Sequence, residues 1–281
     1  MFGLIQANGA TAMIQVLPIP AFNDNYIWLI KNEQRTAILV DPGDGQAAYH
    51  FLKQHDLTLT AILLTHYHRD HGGGLEYLQQ QYQQPLAIYG PKWQATPVGK
   101  RAPQKRCPEA FTEVAAGARL EINQLVFRVN AVPGHTLEHI NYVLEDDTQH
   151  VFCGDSLFSA GCGRVFEGTM SEMYHSVSSY LDFPDNTLLY PAHEYTFSNL
   201  AFAHQVEPDN LAITDAIKQV AKLRQQGLPS LPVTLSHEKK VNPFLRCDQP
   251  TVLQAVQLHC AEAITTPEMV FSALRKWKDE S

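Results

Sequence analysis

The sequence predicts a mixed α and β fold over its first two thirds and a mostly helical part after it, on three observations. Short β-branched runs ending at Gly, Pro and Asp turns alternate with helical patterns up to about residue 190. Near residue 194 the strand signal fades and four helical patterns follow. The composition, 44% hydrophobic and 18% charged over 281 residues, belongs to a globular chain long enough to bury a sizeable core, not to a disordered one. That length suits about two domains, and no internal repeat points to a solenoid.

Taken in order, residues 1–12 are small, polar and unpatterned and read as a tail or an alternative start. M-I-Q-V-L-P-I-P from Met13 reads as the first strand, with further strands at 26–30 and 37–40. The turn D-P-G-D-G at 41–45 breaks the pattern, and a helical stretch runs to about residue 55. A-I-L-L at 61–64 is a short apolar strand that delivers the chain into Thr65 and His66, and G-G-G at 72–74 opens a helix to about Tyr82. Strands follow at 86–89, 125–132, 140–144 and 151–153. Helical patterns then cover 197–206, 210–226, 250–261 and 267–278, with a Pro-rich loop at 227–233 between the pairs. The expected division is a tail at 1–12, a mixed α and β domain at 13–190 and a helical domain at 191–281.

With 21 Lys and Arg against 29 Asp and Glu, the formal charge is -8, so no positive excess supports binding to nucleic acid or to an anionic membrane. The basic cluster Lys100, Arg101, Lys105 and Arg106 lacks interleaved aromatics and reads as a solvated loop. No apolar run approaches the roughly 18 residues of a membrane span. No basic residue precedes Lys31, as the n-region of a signal peptide would require, so a cytoplasmic protein is expected. Five cysteines, Cys107, Cys153, Cys162, Cys247 and Cys260, are an odd number without a C-x-x-C pair and fit reduced thiols.

The densest chemical signal is T-H-Y-H-R-D-H at 65–71, directly after an apolar strand. His66 and His68, at i and i+2, point to one side of an extended segment, while Asp70 and His71 can turn to a second point. His135, Asp155 and His193 each follow a further strand-like run. Seven nitrogen and oxygen donors without a thiolate suit zinc, and also iron or manganese, in a catalytic site that keeps a position open. Three histidines on one metal, an Asp and two His on the other, and one shared carboxylate would satisfy a pair. His50, His55, His150, His175, His204, His237 and His259 read as ordinary polar residues, Tyr26 and Trp28 as core, and His139, four positions after His135, as a supporting group.

T-H-Y-H-R-D-H resembles the T-H-x-H-x-D-H pattern of the metallo-β-lactamase superfamily. P-A-F-N-D-N-Y-I-W at 20–28, V-D-P-G-D at 40–44, P-G-H-T at 133–136, G-D-S-L-F-S-A-G-C-G-R at 154–164 and P-A-H-E-Y-T at 191–196 are similar to the glyoxalase II (hydroxyacylglutathione hydrolase) family, over about residues 14–277. The resemblance implies an α+β fold, a four-layer αβ/βα sandwich followed by a smaller helical domain that helps hold glutathione. It implies His66, His68 and His135 on one metal, Asp70, His71 and His193 on the other, Asp155 bridging, and Asp41 supporting. It also implies substrate contacts from Arg164, Tyr195 and Arg246. Phe166 stands where some relatives have tyrosine. Asp248 and Gln249 stand where some have a further base, a role left to Lys240 or Lys239.

The implied reaction is hydrolysis of S-(R)-lactoylglutathione to D-lactate and glutathione, in methylglyoxal detoxification, by a monomer without nucleic-acid or membrane partners. Two cations sharing a water lower its pKa from about 15.7 toward about 7, so a hydroxide, held with Asp70 and Asp155, attacks the thioester carbonyl. A thiol of pKa about 8.5 leaves as the thiolate without a proton donor. The enzymatic alternative is a glutathione persulfide dioxygenase with mononuclear iron, against which the helical second part weighs. A binding module without turnover is the non-enzymatic alternative.

Overall fold

Apolar runs long enough to be covered on both faces, A-I-L-V at 37–40 and A-I-L at 61–63, become the central parallel strands of a six-stranded sheet. The computed structural model describes residues 14–93, 108, 110–260 and 263–281. The expected tail at 1–12, Met13, the basic cluster Lys100, Arg101, Lys105 and Arg106, and Cys107 lie outside the described residues. The chain forms two units, Met1–Ala131 with Ile140–Gly154, and Val132–His139 with Asp155–Ser281.

In the first unit β1 (Gln15–Ala21), β2 (Asn25–Lys31) and β3 (Thr36–Val40) form an antiparallel meander. β4 (Thr58–Leu63), β5 (Ala87–Gly90) and β6 (Phe111–Glu113) continue the sheet in parallel. Parallel neighbours need crossovers. α1 (Gly45–Gln54) supplies the one between β3 and β4, with the Asp44 side chain accepting from the Gln46 and Ala47 amides as its N-cap. α2 (Arg69–Gly72) and α3 (Leu75–Gln81) lie between β4 and β5. Leu52 of α1 and Leu75 and Leu78 of α3 join Leu29, Leu39 and Ile62 of the sheet in one core cluster. Tyr26 and Trp28 are buried, as expected of core residues.

A second sheet contributes β7 (Arg119–Ile122), β8 (Leu125–Ala131), β9 (Ile140–Leu144) and β10 (His150–Gly154) to this unit, each antiparallel to the next. Tyr142 of β9 donates its hydroxyl to the carbonyls of Leu64 and Tyr89, at the ends of β4 and β5. Burial pushes this phenol well above its ordinary value, so it stays a donor.

The ends of β3 and β4 carry the chemistry-bearing loops. The Asp41 amide donates to the Leu63 carbonyl at 2.9 Å, holding the two ends side by side. A Cβ on Gly43 would lie 1.7 Å from the Asp70 carbonyl oxygen, so the D-P-G turn packs directly on the histidine-rich segment and glycine is required there for space. The sequence places His66 and His68 on an extended segment and lets Asp70 and His71 turn toward a second point; α2 begins right after His68, which puts Asp70 and His71 on a helical turn while His68 remains extended.

The second unit contains the hairpin β11 (Leu157–Phe158) and β12 (Gly161–Cys162), α4 (Met170–Ser178), and β13 (Leu188–Pro191) paired with β14 (Val233–Thr234). Its remaining helices are α5 (Thr196–Val206), α6 (Leu211–Gln225), α7 (Leu235–Val241), α8 (Pro250–His259) and α9 (Pro267–Glu280). α7 lies in a stretch for which the sequence predicts no element, and β14 starts at the last residue of the expected Pro-rich loop. No described helix is long and apolar enough to cross a membrane.

Glu238 of α7 is fully buried and accepts from Ser159 Oγ (2.7 Å), the Ala160 amide (2.8 Å) and Asn242 Nδ2 (3.0 Å), fixing the β11–β12 turn. Burial pushes its carboxyl from 4.5 up to about 7, against the pull of those donors. Because the folded value lies above the unfolded one, the stability contributed by the bound proton is complete below about pH 4.5 and is lost as pH rises to about 7. The shift corresponds to on the order of 3 kcal/mol. A glutamine keeps an acceptor for Ala160 and Asn242 and can donate to Ser159. Glu238→Gln is therefore expected to flatten this part of the profile of denaturant midpoint between pH 5 and 8. An unaltered slope contradicts the assignment.

Candidate metal centre

In the first unit the donors hang on one carboxylate. Asp41 is buried and accepts from the Thr65 amide (2.8 Å), from Thr65 Oγ1 (2.6 Å) and from His71 Nδ1 (3.0 Å). A carboxylate only accepts, so the His71 proton sits on Nδ1 and its Nε2 lone pair is turned toward Asp70 Oδ2, 3.6 Å away. Thr65 gives its hydroxyl hydrogen to Asp41, so its oxygen accepts from His66 Nδ1 at 3.0 Å, and the His66 lone pair is again on Nε2. That nitrogen lies 3.0 Å from His68 Nδ1. His66, His68 and His71 are all buried, and Asp41, His66 and His71 each offer a donor atom within 4.8 Å of the others. Asp70 Oδ2 accepts from Asn25 Nδ2 at 3.3 Å.

The second unit repeats the arrangement. His135 Nδ1 lies 2.8 Å from the Arg164 carbonyl, which can only accept, so the proton is on Nδ1 and Nε2 faces Asp155 Oδ2 at 3.2 Å. His193 Nε2 faces the other oxygen, Asp155 Oδ1, at 3.3 Å. Each oxygen of one buried carboxylate is thus aimed at a different imidazole. His139 Nε2 accepts the Asp155 amide at 3.0 Å, so that histidine orients the backbone of Asp155. A Cβ on Gly163 would come within 2.0 Å of the Asp155 carbonyl oxygen and 3.1 Å of His135 Nδ1, which seats 161–164 tightly against both residues. The Phe166 ring meets His135 edge to face at 5.1 Å, and Tyr195 stacks on His193 at 4.7 Å.

An imidazole lone pair directed at a carboxylate oxygen is repulsive unless a proton or a cation lies between them, and an imidazolium in so buried a place pays for desolvation. A divalent cation takes both donors. The far nitrogens of His66, His71 and His135 are each held by an acceptor, as imidazole ligands to metals usually are. These residues fit divalent metal ions. Among the described residues, none of His50, His55, His150, His175, His204, His237 and His259 enters a group of three or more metal-capable side chains. Cys153, Cys162, Cys247 and Cys260 are free thiols.

The residues expected to meet substrate differ in their commitments. Arg246 donates through Nε (2.8 Å) and Nη2 (2.9 Å) to Glu207 and through Nη1 (3.1 Å) to the Lys239 carbonyl. Burial pushes the Glu207 carboxyl up, but Arg246 and Thr251 outweigh it and hold the group below its ordinary value. Lys239 pairs with Asp185 at 2.7 Å, whereas Lys240 lines a cavity of about 600 Å³ with Glu207, Arg246 and Thr251. The Arg164 side chain is 60% exposed and, among the described residues, pairs only through Nε, with Asp279 Oδ1 at 3.2 Å. Sequence reasoning missed Asn25, Glu207 and Asp279, which act from distant parts of the chain.

Residues 21–193 match the family described as "Metallo-beta-lactamase superfamily", and residues 194–281 match "Hydroxyacylglutathione hydrolase C-terminus". A hydroxyacylglutathione hydrolase of Shewanella loihica is 45% identical over 273 residues, covering 95% of this chain and 99% of its own. One of Vibrio cholerae is 45% identical over 270 residues, covering 95% and 100%. The solved BLEG-1 B3 metallo-beta-lactamase shares the fold, with a TM-score of 0.60 at 22% identity over 83% of this chain and 99% of that one. With its α+β metallo-β-lactamase fold and a helical C-terminal part, the chain belongs to the hydroxyacylglutathione hydrolase family.

Proposed function

We propose that this chain hydrolyses S-(R)-lactoylglutathione to D-lactate and glutathione, using two divalent cations, zinc by preference, with iron and manganese also suited to the donors. His66, His68 and His135 would hold one cation and Asp70, His71 and His193 the other, with Asp155 given to both. The observation that carries the reading is the Asp155 carboxylate, whose two oxygens address the Nε2 atoms of His135 and His193 separately. When bound, such a pair supplies a water ionised near neutral pH and positive charge for the carbonyl oxygen.

The protein's own groups do the rest. Asp41 and the Arg164 carbonyl hold the Nδ1–H of His71 and of His135, so in the neutral ring the lone pair is on Nε2 and the donors are in place before substrate arrives. Phe166 and Tyr195 cover the rings of His135 and His193 and limit access of water. Arg164 and Tyr195 face the thiol half of the substrate, with Lys240 and Arg246 as further contacts. No side chain has to protonate the leaving sulfur, because a thiol of pKa about 8.5 departs as its anion.

The test is a thioester-absorbance assay on metal-loaded protein before and after dialysis against a chelator. Activity is expected to fall at least about a hundredfold and to return with added Zn²⁺. Oxygen consumption on glutathione persulfide without loss of thioester absorbance contradicts the reading and favours an iron dioxygenase.

A further inference from the structure

Two guanidinium groups are offered to the substrate, and the structure treats them in opposite ways. Arg246 has its Nε and Nη2 on Glu207 and its Nη1 on a backbone carbonyl, and its side chain is only 19% exposed. Its Nε–Nη2 edge, the one that would fork a second carboxylate side-on, is taken. Among the described residues Arg164 is bound through Nε alone, so its two terminal nitrogens keep the parallel N–H pair that forks a carboxylate.

The partner that holds Nε is Asp279, in the last turn of α9. The same oxygen, Asp279 Oδ1, accepts from Arg275 Nη2 at 2.9 Å, and Arg275, itself buried, donates Nη1 to the Cys162 carbonyl at 2.9 Å. One helix therefore fixes the backbone two residues before Arg164 through Arg275 and the side chain of Arg164 through Asp279. Gly163 and the Arg164 carbonyl meanwhile press against Asp155 and His135. Arg164 is thus held at its Nε and through the backbone beside it, next to these proposed metal ligands.

We infer that Asp279 is a positioning residue for substrate binding: by holding Arg164 Nε it presents the free edge of the guanidinium to a carboxylate of the thiol half of the thioester. This rests on the thioesterase reading above. The pair is partly exposed, 60% on the Arg164 side and 34% on the Asp279 side, so the expected effect is modest.

The experiment measures kcat and KM on metal-loaded enzyme with S-lactoylglutathione and with the lactoyl thioester of a neutral thiol, N-acetylcysteamine. Asp279→Ala is expected to raise KM for the glutathione thioester about three- to fivefold with kcat changed less than about 1.5-fold. Asp279→Asn, which keeps an acceptor at Oδ1, should fall between the two, and the neutral thioester should show no change with either variant. In an Arg164→Ala background, where KM is already raised, Asp279→Ala should add nothing.

An equal loss on both thioesters marks a merely structural role and overturns the inference. So does an unchanged KM in Asp279→Ala, or a full Asp279 effect in the absence of Arg164. If the unmodified enzyme turns over S-lactoylglutathione and only these comparisons fail, the positioning role alone is wrong. If it does not turn the substrate over at all, the thioesterase reading falls and takes the inference with it.

Discussion

Replacing Asp155 with alanine is expected to leave one metal equivalent or fewer per chain and to lower kcat/KM on the thioester by at least about a thousandfold. The two oxygens of this carboxylate address different imidazoles, His135 through Oδ2 and His193 through Oδ1, so its removal takes a donor from both positions at once. The loss should not come from unfolding, because the backbone amide of Asp155 stays on His139 and the alanine relieves the opposition of acceptors. Metal content by elemental analysis and activity should fall together. Full occupancy in a folded, inactive variant removes Asp155 from the coordination scheme.

Asp41→Asn is the second large effect expected, a loss of about 10- to 100-fold in metal affinity with a comparable loss in kcat/KM. The Asp41 carboxylate accepts three hydrogen bonds and has none to donate. An amide set in its place turns its NH2 against the Thr65 N–H in one orientation, and against the Thr65 hydroxyl and His71 Nδ1–H in the other. In the latter case the His71 proton is displaced toward Nε2, where a lone pair is needed. Titration against a competing chelator reads the affinity directly, and a value within twofold of the unmodified protein contradicts a supporting role for Asp41.

Legibility in the sequence followed the physical origin of each feature. β9, read at 140–144, is found there because an apolar run of that kind is stable only as a covered strand. α5, α6, α8 and α9 begin and end within about two residues of their patterns, since their starts carry Asn, Thr or Pro signals and their lengths exceed two turns. β11, β12 and β14 have two residues each, and their pairing is imposed by partner segments and leaves no local period. α2 was hidden because it is a single turn of four residues, three of which, Asp70, His71 and Gly72, are weak helix formers. α4 was legible and overlooked, for Thr169 and Glu172 form a capping box.

The same division runs through the site. Three histidines and an aspartate within six positions have no packing purpose, so the donor types stand out. Which nitrogen of each ring carries the proton does not, because it is set by groups such as the Arg164 carbonyl and Asp41 that only the fold brings into reach. Substrate contacts were hardest to read. The capture of Arg246 by Glu207 and of Arg164 by Asp279 depends on segments far along the chain, and only the first of these captures takes both Nε and a terminal nitrogen of its guanidinium.

An anomalous-difference map from crystals of the zinc-loaded protein tests the two-cation proposal most directly. Two peaks about 3.5–4 Å apart are expected, one touching His66, His68 and His135, the other Asp70, His71 and His193, and both touching Asp155. A single peak at full zinc loading, or two peaks of which neither touches Asp155, contradicts it.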